Sequence, residues 1–456
     1  MPSSRLISIE LPDFGMPAAM PNIPDEIYAK RIRDLRERVS SRGLDLVIVY
    51  ADREHSANMS YLTGFDPRFE EALLVVGEDG DPRVLVGNEC VGMANAAPLP
   101  MEVELFQDFS LPGQPRDKSR SLTELLTETG LTAGTKVGLV GWKTFDEPLR
   151  SDVPSYLVDE LRALAGIDQV VNATDILIDA ANGMRVINEV EQLACFEYAA
   201  CHTSSGVRNL LFELAPGMTE QEAVALLHWN GAPLSCHLML TAGNRARLGL
   251  LGPGDRVISE GDPFTVAYGI WGALNCRAGF VTGGAQGLPH EISDYVERLV
   301  RPYFETVVEW YQALHIGQRG HVLQDIVDHG LGDPFFGIFL NPGHQIHNDE
   351  WVNTPVGPGS DVELGSGMAM QVDIIPATGT PYFTTNIEDG IALGDESLRK
   401  EIATRYPDMW GRIEARRRFM RDQLGIDLHP DVLPFSNIPA YLPPFLLSPE
   451  QAMSTV

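Results

Sequence analysis

The chain has 456 residues, of which 44% are apolar, and a formal net charge of −29. Because single hydrophobic cores stop growing at about 250 to 300 residues, this length predicts two domains. The acidic balance excludes a nucleic-acid partner, since phosphate contacts need clustered Lys and Arg. The opening MPSSRLISIELPDFG lacks a long apolar core, so neither a signal peptide nor a membrane partner is expected. Five widely spaced cysteines without a CxxC pair favour the reducing cytoplasm.

Helical and strand patterns alternate through the first part of the chain. Residues 24–42 repeat apolar side chains at helical spacing, and the LDLVIVY that follows them predicts a buried strand. The alternation predicts an α/β layer domain over residues 25–180, preceded by an N-terminal extension, residues 1–24. A long helical pattern over residues 187–214 marks the junction between the domains.

The second part of the chain mixes strands and helices in a domain predicted over residues 181–425. Strands are predicted at 263–271, 275–282, 368–375 and 382–393, and helices at 290–313, 320–329 and 396–423. Residues 426–456 are Pro-rich and apolar without a period. They are predicted to form a tail that runs irregularly over a surface or across a subunit boundary.

Seven short motifs occur in order along the chain: NMSYLTGF, RVINEVE, APGMTEQEAVALL, GDPFTVAYG, NPGHQIHNDEW, SGMAMQVDIIP and NIEDGIAL. In order and spacing they resemble the creatinase, prolidase and aminopeptidase P superfamily over residues 25–395. The resemblance implies an α+β fold, with a small α/β N-terminal creatinase-like domain and a C-terminal pita-bread domain. In the latter, helices cover a curved antiparallel sheet whose inner face holds the active site. It also implies a homodimer in which the N-terminal domain of one subunit helps to close the site of another.

The segment over residues 263–290 contains no Asp or Glu, in a chain with 63 acidic residues. The peptidases of the superfamily hold two divalent ions with five side chains, the first two being acids about ten residues apart on this strand pair. Here the first acid's place falls on or near Ala267, and the second on Leu274, Asn275 or Arg277. We therefore expect no metal ligands and no cofactor.

Three residues match the family's remaining site positions: His344 after a glycine, Asp373 in place of a glutamate, and Glu388. Burial in a concave site can raise a carboxyl pKa into the range useful for acid or base catalysis. Asp373 and Glu388 are therefore candidates for sharing one proton. The predicted catalytic roles are Glu388 as the base that activates water, His344 as donor to or orienter of the leaving nitrogen, and Asp373 as the group that sets the proton count.

Four residues are candidates for binding the substrate. Arg245 and Arg247, in GNRAR, could form a bidentate pair with a substrate carboxylate, or could be exposed arginines that balance an acidic surface. Arg277 resembles the arginine that follows the family's second acid, and His347 lies just after His344 in the same motif. Three acids are interpreted as solvated or capping groups: Asp349, Glu350 and Asp389.

The missing acids also occur in creatinase and ectoine hydrolase, which this chain resembles in that respect. Their substrates contain an electrophilic carbon between nitrogens, which water activated by a side-chain base can attack without a Lewis acid. The sequence thus predicts a cytoplasmic, metal-independent creatinase-like hydrolase that cleaves a C–N bond in a small amidine, ureide or amide. The open alternatives are a metal-dependent Xaa-Pro aminopeptidase or prolidase-like peptidase with a rearranged site, a non-catalytic pita-bread binding module, and a small-molecule lyase.

Overall fold

A computed structural model describes residues 3–456 and divides into two compact units. The N-terminal unit is Ile23–Arg185. The C-terminal unit combines residues 3–22 with Val186–Val456, so the N-terminal unit is inserted between two pieces of it. In the described part of the chain, no helix is both long and apolar enough to cross a bilayer.

The secondary structure alternates in both units. The strands are β1 (Arg5–Ser8), β2 (Leu46–Ala51), β3 (Ala72–Val76), β4 (Arg83–Val86), β5 (Glu102–Leu105), β6 (Val137–Val140), β7 (Val170–Asn172), β8 (Met239–Ala242), β9 (Pro263–Ile270), β10 (Ala273–Phe280), β11 (His344–Gln345), β12 (Ala369–Asp373), β13 (Asn386–Leu393), β14 (Val432–Pro434) and β15 (Gln451–Ser454). The helices are α1 (Asp25–Ser41), α2 (Ala57–Thr63), α3 (Val91–Asn95), α4 (Leu122–Glu128), α5 (Ser155–Ala165), α6 (Asp175–Ile178), α7 (Val190–Glu213), α8 (Glu220–Ala225), α9 (Arg301–Ala313), α10 (Gly320–Leu331), α11 (Glu396–Arg405) and α12 (Pro407–Phe419).

The N-terminal unit is built on a six-stranded sheet in the order β5-β4-β3-β2-β6-β7. Strand β2 lies between antiparallel β3 and parallel β6, and all six of its residues are buried. Helix α1 buries Ile32, Leu35 and Val39, which share one face because they are three or four residues apart. The predicted helix and the buried strand after it are thus both present.

The C-terminal unit is built on an antiparallel sheet in the order β11-β12-β13-β10-β9-β8, with β14 also paired to β13. Strands β10 and β13 are buried along their whole length, because packed structure covers both faces of the sheet. Helix α7 lies against β9 and β10, as expected for the long helical pattern at the junction. This sheet carries the residues of the candidate site.

The charged helix predicted over residues 396–423 is interrupted. It forms α11 and α12, which are separated at Tyr406 with φ −131° and ψ 62°. Pro407 disfavours a helical conformation at the residue before it and has no N–H for a helical hydrogen bond, so it begins a new helix instead. The helical pattern was correct, but its continuity was wrong.

The predicted N-terminal extension and C-terminal tail are both part of the C-terminal unit. Strand β1 pairs with β15, with Arg5 opposite Ser454, and β14 extends the main sheet. Within the tail, Ile438, Tyr441 and Leu442 are fully buried. The prediction of an irregular surface tail was wrong, because its apolar residues fill the core of this unit and its two short strands are paired.

Candidate active site

The hairpin β9–β10 places Cys276 directly opposite Ala267. Residues directly opposite in an antiparallel pair point to the same face of a sheet, and alternate residues share a face. Leu274 therefore shares the face of Ala267 and Cys276, whereas Asn275 and Arg277 point to the other face. Cys276, which was not among the positions expected for the second acid, faces Ala267 and also lies opposite Glu388 of β13.

Three polar residues predicted from the sequence meet on this same face. Glu388 lies opposite Asp373 of β12, and His344 of β11 lies opposite Gln371, two residues before Asp373. One ligand atom from each of His344, Asp373 and Glu388 lies within 4.8 Å of the other two. All three side chains are at most 5% exposed. The fold thus brings together side chains that are up to 44 positions apart in the sequence.

His344 is the centre of the cluster. Its Nε2 lies 3.1 Å from Oε1 of Glu350, 3.5 Å from Oε1 of Glu388 and 3.9 Å from Oδ2 of Asp373. The indole of Trp351 stacks on the imidazole, with ring centroids 4.2 Å apart and an interplanar angle of 16°. Glu350 and Trp351 belong to the loop after β11, so this loop covers the imidazole.

The residue before His344 explains why the motif contains a glycine. Gly343 has φ +137°, and a Cβ at this position would come within 2.8 Å of the Trp310 ring. A larger residue would be strained and would clash. Gly343 therefore allows the chain to enter β11 with His344 directed at the cluster.

The buried cluster holds protons more tightly than free side chains do. Burial alone lowers the pKa of His344, but Glu350, Glu388 and Asp373 outweigh it and raise that pKa well above its ordinary value. Burial raises the pKa of Asp373 well above its ordinary value, and the neighbouring charge of Glu388 adds to the effect. Burial and the charge of Glu350 raise the pKa of Glu388, although its hydrogen bonds with His344 and Cys276 oppose the rise. Each of the three groups therefore holds its proton to a higher pH than it would as a free side chain.

Two neighbours hold the Glu388 carboxylate in place. The Cys276 thiol donates to Oε2 at 2.7 Å, while Nε2 of Gln371 lies 3.5 Å from Oε1 and donates to the Leu274 carbonyl at 2.8 Å. Burial raises the pKa of the Cys276 thiol well above its ordinary value, and the charge of Glu388 raises it further. Cys276 is therefore a neutral hydrogen-bond donor here, unlike reactive cysteines, whose pKa is lowered by positive surroundings.

Arg277 was predicted to bind substrate, but it lies in a buried network on the other face of the sheet. Its guanidinium donates to Asp389 at 2.8 Å and to the carbonyl oxygens of Tyr441, Ile438 and Cys276. Both Arg277 and Asp389 are 1% exposed. The substrate-binding prediction for Arg277 was wrong, and so was the interpretation of Asp389 as a solvated group, because each neutralises the other inside the protein.

The other predicted binding residues, Arg245, Arg247 and His347, are not part of the group formed by His344, Asp373 and Glu388. Arg245 is 36% exposed and pairs with the buried Glu220 at 3.1 Å, while Arg247 is exposed on the same short 3₁₀ helix, Gly243–Leu248. His347 is buried with its ring edge-on to Phe196, and its Nδ1 accepts from the backbone N–H of Asn348 at 2.8 Å.

Three residues near the cluster were missed from the sequence as site residues: Cys276, Gln371 and Glu350. Strand alternation and pairing could have identified Cys276 and Gln371. Cys276 lies directly opposite Ala267 and Glu388. Gln371 lies directly opposite His344 and two residues before Asp373 on the same strand. Glu350 had no such signal, because it lies in a loop. It was interpreted as solvated, yet it makes the shortest contact to His344 Nε2 among the three carboxylates.

The donors present do not fit the pair of divalent ions that the resemblance to the peptidases implies. A pair needs several carboxylates to balance its charge and fix its geometry. The strands that should supply the first two acids carry Ala267, which has no ligand atom, and Cys276, whose neutral thiol donates a hydrogen bond to Glu388. Within the described residues, only His344, Asp373 and Glu388 group closely enough to hold metal, and three donors suit a single ion.

Comparisons with known proteins agree with this architecture. Residues 31–180 match the family model of the creatinase/prolidase N-terminal domain. Among curated proteins, no sequence matches this chain significantly. Among solved structures, the prolidase from Pyrococcus horikoshii OT3 is similar at TM-score 0.62 and 18% identity, covering 80% of this chain and 95% of that one.

Two further structures are similar over the same extent. The X-Pro aminopeptidase from Thermotoga maritima MSB8 has a TM-score of 0.61 and 15% identity, covering 80% of this chain and 95% of that one. The recombinant prolidase from Thermococcus sibiricus has a TM-score of 0.61 and 19% identity, covering 81% and 95%. The chain therefore has a two-unit α+β fold with a creatinase-like N-terminal domain and a pita-bread domain, as predicted. The match to the creatinase/prolidase N-terminal model covers residues 31–180, and the likeness of the whole chain to prolidases and X-Pro aminopeptidases is one of fold.

Proposed function

We propose that this protein is a hydrolase that cleaves a C–N bond in a small polar molecule, an amidine, ureide or amide, and activates water with side chains rather than with a metal pair. One observation carries the proposal. His344, Asp373 and Glu388 converge on one face of the sheet, while Ala267 and Cys276 occupy the neighbouring positions where a metal pair would need carboxylates.

The three converging side chains can supply acid and base catalysis together. Glu388 accepts a proton from the attacking water, and His344, whose raised pKa keeps it protonated, donates a proton to the leaving nitrogen. Asp373 retains its own proton through burial and the charge of Glu388, so that Glu388 is the ionised member of the pair. Water attacks the carbon, the C–N bond breaks, and the nitrogen departs with the proton from His344.

This chemistry suits a carbon that is already electrophilic. In an amidine or ureide the carbon lies between electron-withdrawing heteroatoms, so stabilisation by fixed hydrogen-bond donors and a positioned base replaces a Lewis acid. An unactivated peptide bond presents a higher barrier and gains more from a metal ion. The residues present therefore favour a small activated substrate over a peptide.

The proposed setting is a homodimer in the cytoplasm. All five cysteines are free thiols in the structure, and four of them are buried, which suits a reducing compartment. The dimer is proposed from the superfamily resemblance of the N-terminal unit. Size-exclusion chromatography with light scattering tests it directly.

A metal-dependent Xaa-Pro peptidase is the second candidate, with a rearranged site built from His344, His347, Asp373 and Glu388. The observation that favours it is the close grouping of one imidazole and two carboxylates, a donor set that can bind one divalent ion. In that case activity would disappear on chelation and return with added metal.

The test is turnover by metal-stripped, full-length protein. Small amidines, ureides and amides are screened beside an Xaa-Pro dipeptide, with and without Mn²⁺, and metal content is measured on the same samples. Hydrolysis of a small substrate in the stripped sample supports the proposal. Activity confined to the dipeptide with Mn²⁺ supports the peptidase, tight binding without turnover supports a binding module, and elimination without uptake of water supports a lyase.

A further inference from the structure

Positive charge is concentrated in one short part of this acidic chain. Residues 399–421 contain eight of the 34 Lys and Arg residues but only three of the 63 acidic residues. This part of the chain is therefore net positive, whereas the chain as a whole has a net charge of −29. It spans most of α11, all of α12 and the start of the π-helical turn that continues α12, Met420–Leu424. Such a local excess of positive charge attracts anions, although the protein as a whole repels them.

Four arginines of this part of the chain line a single cavity. The cavity has a volume of about 240 Å³ and is lined by residues of α11, of α12 with its π-helical turn, and of the loop 427–430 before β14. Trp410, Arg417 and Arg421 are separated by seven and four positions, so they share one face of the helix. The arginines that line the cavity are Arg399, Arg417, Arg418 and Arg421.

Only two of the four arginines have a close carboxylate partner. Arg399 pairs with Asp431 at 2.8 Å, and Arg421 pairs with Asp422 at 2.7 Å. Arg418 is exposed and forms no ion pair with any residue that the structure describes. Its guanidinium can therefore bind an anion without breaking an existing ion pair.

The charge of Arg417 is only weakly balanced by its surroundings. Its one ion-pair partner among the described residues, Glu414, has a carboxylate oxygen 3.8 Å from Nε. Burial and the positive charges of Arg399 and Arg421 lower the pKa of Arg417, although nearby carboxylates oppose them. Its guanidinium is held in place by three backbone carbonyl oxygens, those of Leu428, His429 and Val432. A bound anion would offset the burial of this charge.

The cavity also has an apolar wall. Trp410 of α12 and Leu428 and Pro430 of the loop line it together with the arginines. A lone inorganic anion would leave these carbon atoms without a partner, whereas a ring can pack against an indole. The volume lies below the roughly 300–1,000 Å³ of pockets for drug-sized ligands, so the cavity suits a small molecule. Its complement is therefore a small anion that also carries a ring.

We propose that this cavity binds a small phosphate ester whose organic part is a ring, with the phosphate at Arg417, Arg418 and Arg421 and the ring at Trp410. The planar fork of arginine matches pairs of phosphate oxygens, and a phosphate monoester carries more negative charge at neutral pH than a carboxylate does. The site shares no residue with the cluster around His344, so the inference does not depend on the proposed function.

Four small probes separate the contributions of charge and ring: phenyl phosphate, benzoate, inorganic phosphate and phenol. Binding to the full-length protein is measured by isothermal titration calorimetry at low salt. We expect phenyl phosphate to bind about tenfold more tightly than benzoate, because hydrogen bonds between charged groups are the strong ones. It should also bind more tightly than inorganic phosphate, which lacks the ring, and its affinity should fall as NaCl is added, since exposed charges are screened.

Three results would overturn the proposal. Equal affinity for phenyl phosphate and benzoate would exclude recognition of a phosphate. Equal affinity for phenyl phosphate and inorganic phosphate would exclude a place for the ring. Binding of poly-glutamate without binding of phenyl phosphate would indicate an acidic protein as the partner instead of a small molecule.

Variants at exposed positions test the location without threatening the fold. The double variant Arg418→Gln, Arg421→Gln should weaken binding of phenyl phosphate about tenfold, because two charged donors are lost. The control is Arg319→Gln, which removes the same kind of charge from a side chain that is 55% exposed elsewhere in the C-terminal unit. Unchanged binding by the double variant, or an equal loss in the control, would overturn this location.

Substitution of the tryptophan tests the place of the ring. Trp410→Leu should weaken binding of phenyl phosphate several-fold while leaving inorganic phosphate within about twofold, since only the ring packs against the indole. Circular dichroism should show an intact fold for this variant. An equal loss for both probes would contradict a contact between the ring and Trp410.

Discussion

The thiol of Cys276 donates a hydrogen bond to Oε2 of Glu388 at 2.7 Å, across two neighbouring strands of the central sheet. The carboxylate is thereby fixed at one oxygen, and its other oxygen, Oε1, faces His344. The position opposite Ala267 has thus become a neutral donor in this chain. Its effect is to orient a carboxylate and to oppose the rise in its pKa.

Substitution of Cys276 tests this positioning role. We expect Cys276→Ser to keep most activity, because a hydroxyl also donates, and Cys276→Ala to lose about tenfold in kcat/KM, since a hydrogen bond to a charged group contributes about 1.5–3 kcal/mol. In Cys276→Ala the acidic limb of the pH profile should move to higher pH, because the hydrogen bond that lowers the Glu388 pKa is gone. Identical pH profiles for the Ser and Ala variants would contradict the role.

Replacement of Glu388 by Gln tests the proposed base. The change keeps the shape of the side chain and removes its ability to accept a proton, so kcat should fall about 10²- to 10⁴-fold, the usual contribution of a general base. Circular dichroism should show an intact fold. Asp361→Asn on the surface is the matched control and should keep full activity. Turnover of the Gln variant at the wild-type rate would exclude Glu388 as the base.

Stability should depend on pH through Asp373. The pKa of this carboxyl is raised in the folded protein. At a pH between its ordinary pKa and its raised pKa, the native state therefore binds more protons than the unfolded chain. Its contribution is present in acid and is lost as pH rises through the folded pKa, by about 1.4 kcal/mol for each pH unit that separates the two pKa values.

Asp373→Asn has no proton to lose at this position. The Tm of the variant minus the Tm of the wild type should therefore increase as pH is raised from 5 to 8. Differential scanning calorimetry at constant ionic strength measures this difference. A difference in Tm that is constant or falls with pH would show that the carboxyl is not protonated preferentially in the folded state.

Restoring the two missing acids tests why a metal pair does not fit. In the double variant Ala267→Asp, Cys276→Asp, two carboxylates would face each other next to Glu388. Oxygen-rich sites of this kind suit Mn²⁺. We expect the purified double variant to bind two Mn²⁺ per chain and to gain thermal stability from them, with loss of both on chelation. Two ions bound equally well by the wild type would contradict the account of the site.

Arg277 is expected to matter for stability. Arg277→Ala leaves Asp389 buried without its charged partner, and removing one member of a buried pair costs about 3–5 kcal/mol. Arg319→Ala, at an exposed pair with Asp361, is the control and should cost at most about 1 kcal/mol. Urea denaturation measures both values. A small loss for the buried arginine would indicate that Asp389 finds another partner.

Short-range patterns in the sequence predicted the fold well and the site in part. His344, Asp373 and Glu388 were identified because each lies in a short motif flanked by glycine or apolar residues, and the structure brings them together. Strand register is set by pairing between distant segments. The sequence of β10 alone therefore does not show which residues lie opposite Cys276. The partner of Arg277 is 112 residues away in the chain, and only the folded sheet brings the two side chains together. The catalytic roles of the three residues remain predictions.

The pairing of β1 with β15 joins residues 5–8 to residues 451–454. During synthesis on the ribosome, β1 must wait for β15, while the inserted N-terminal unit, a compact unit of its own, emerges earlier. The C-terminal unit is completed only after residues 451–454 have been synthesised. Deletion of residues 451–454 would therefore remove the partner of β1 and disturb the C-terminal unit, although these residues lie far from His344 in the sequence.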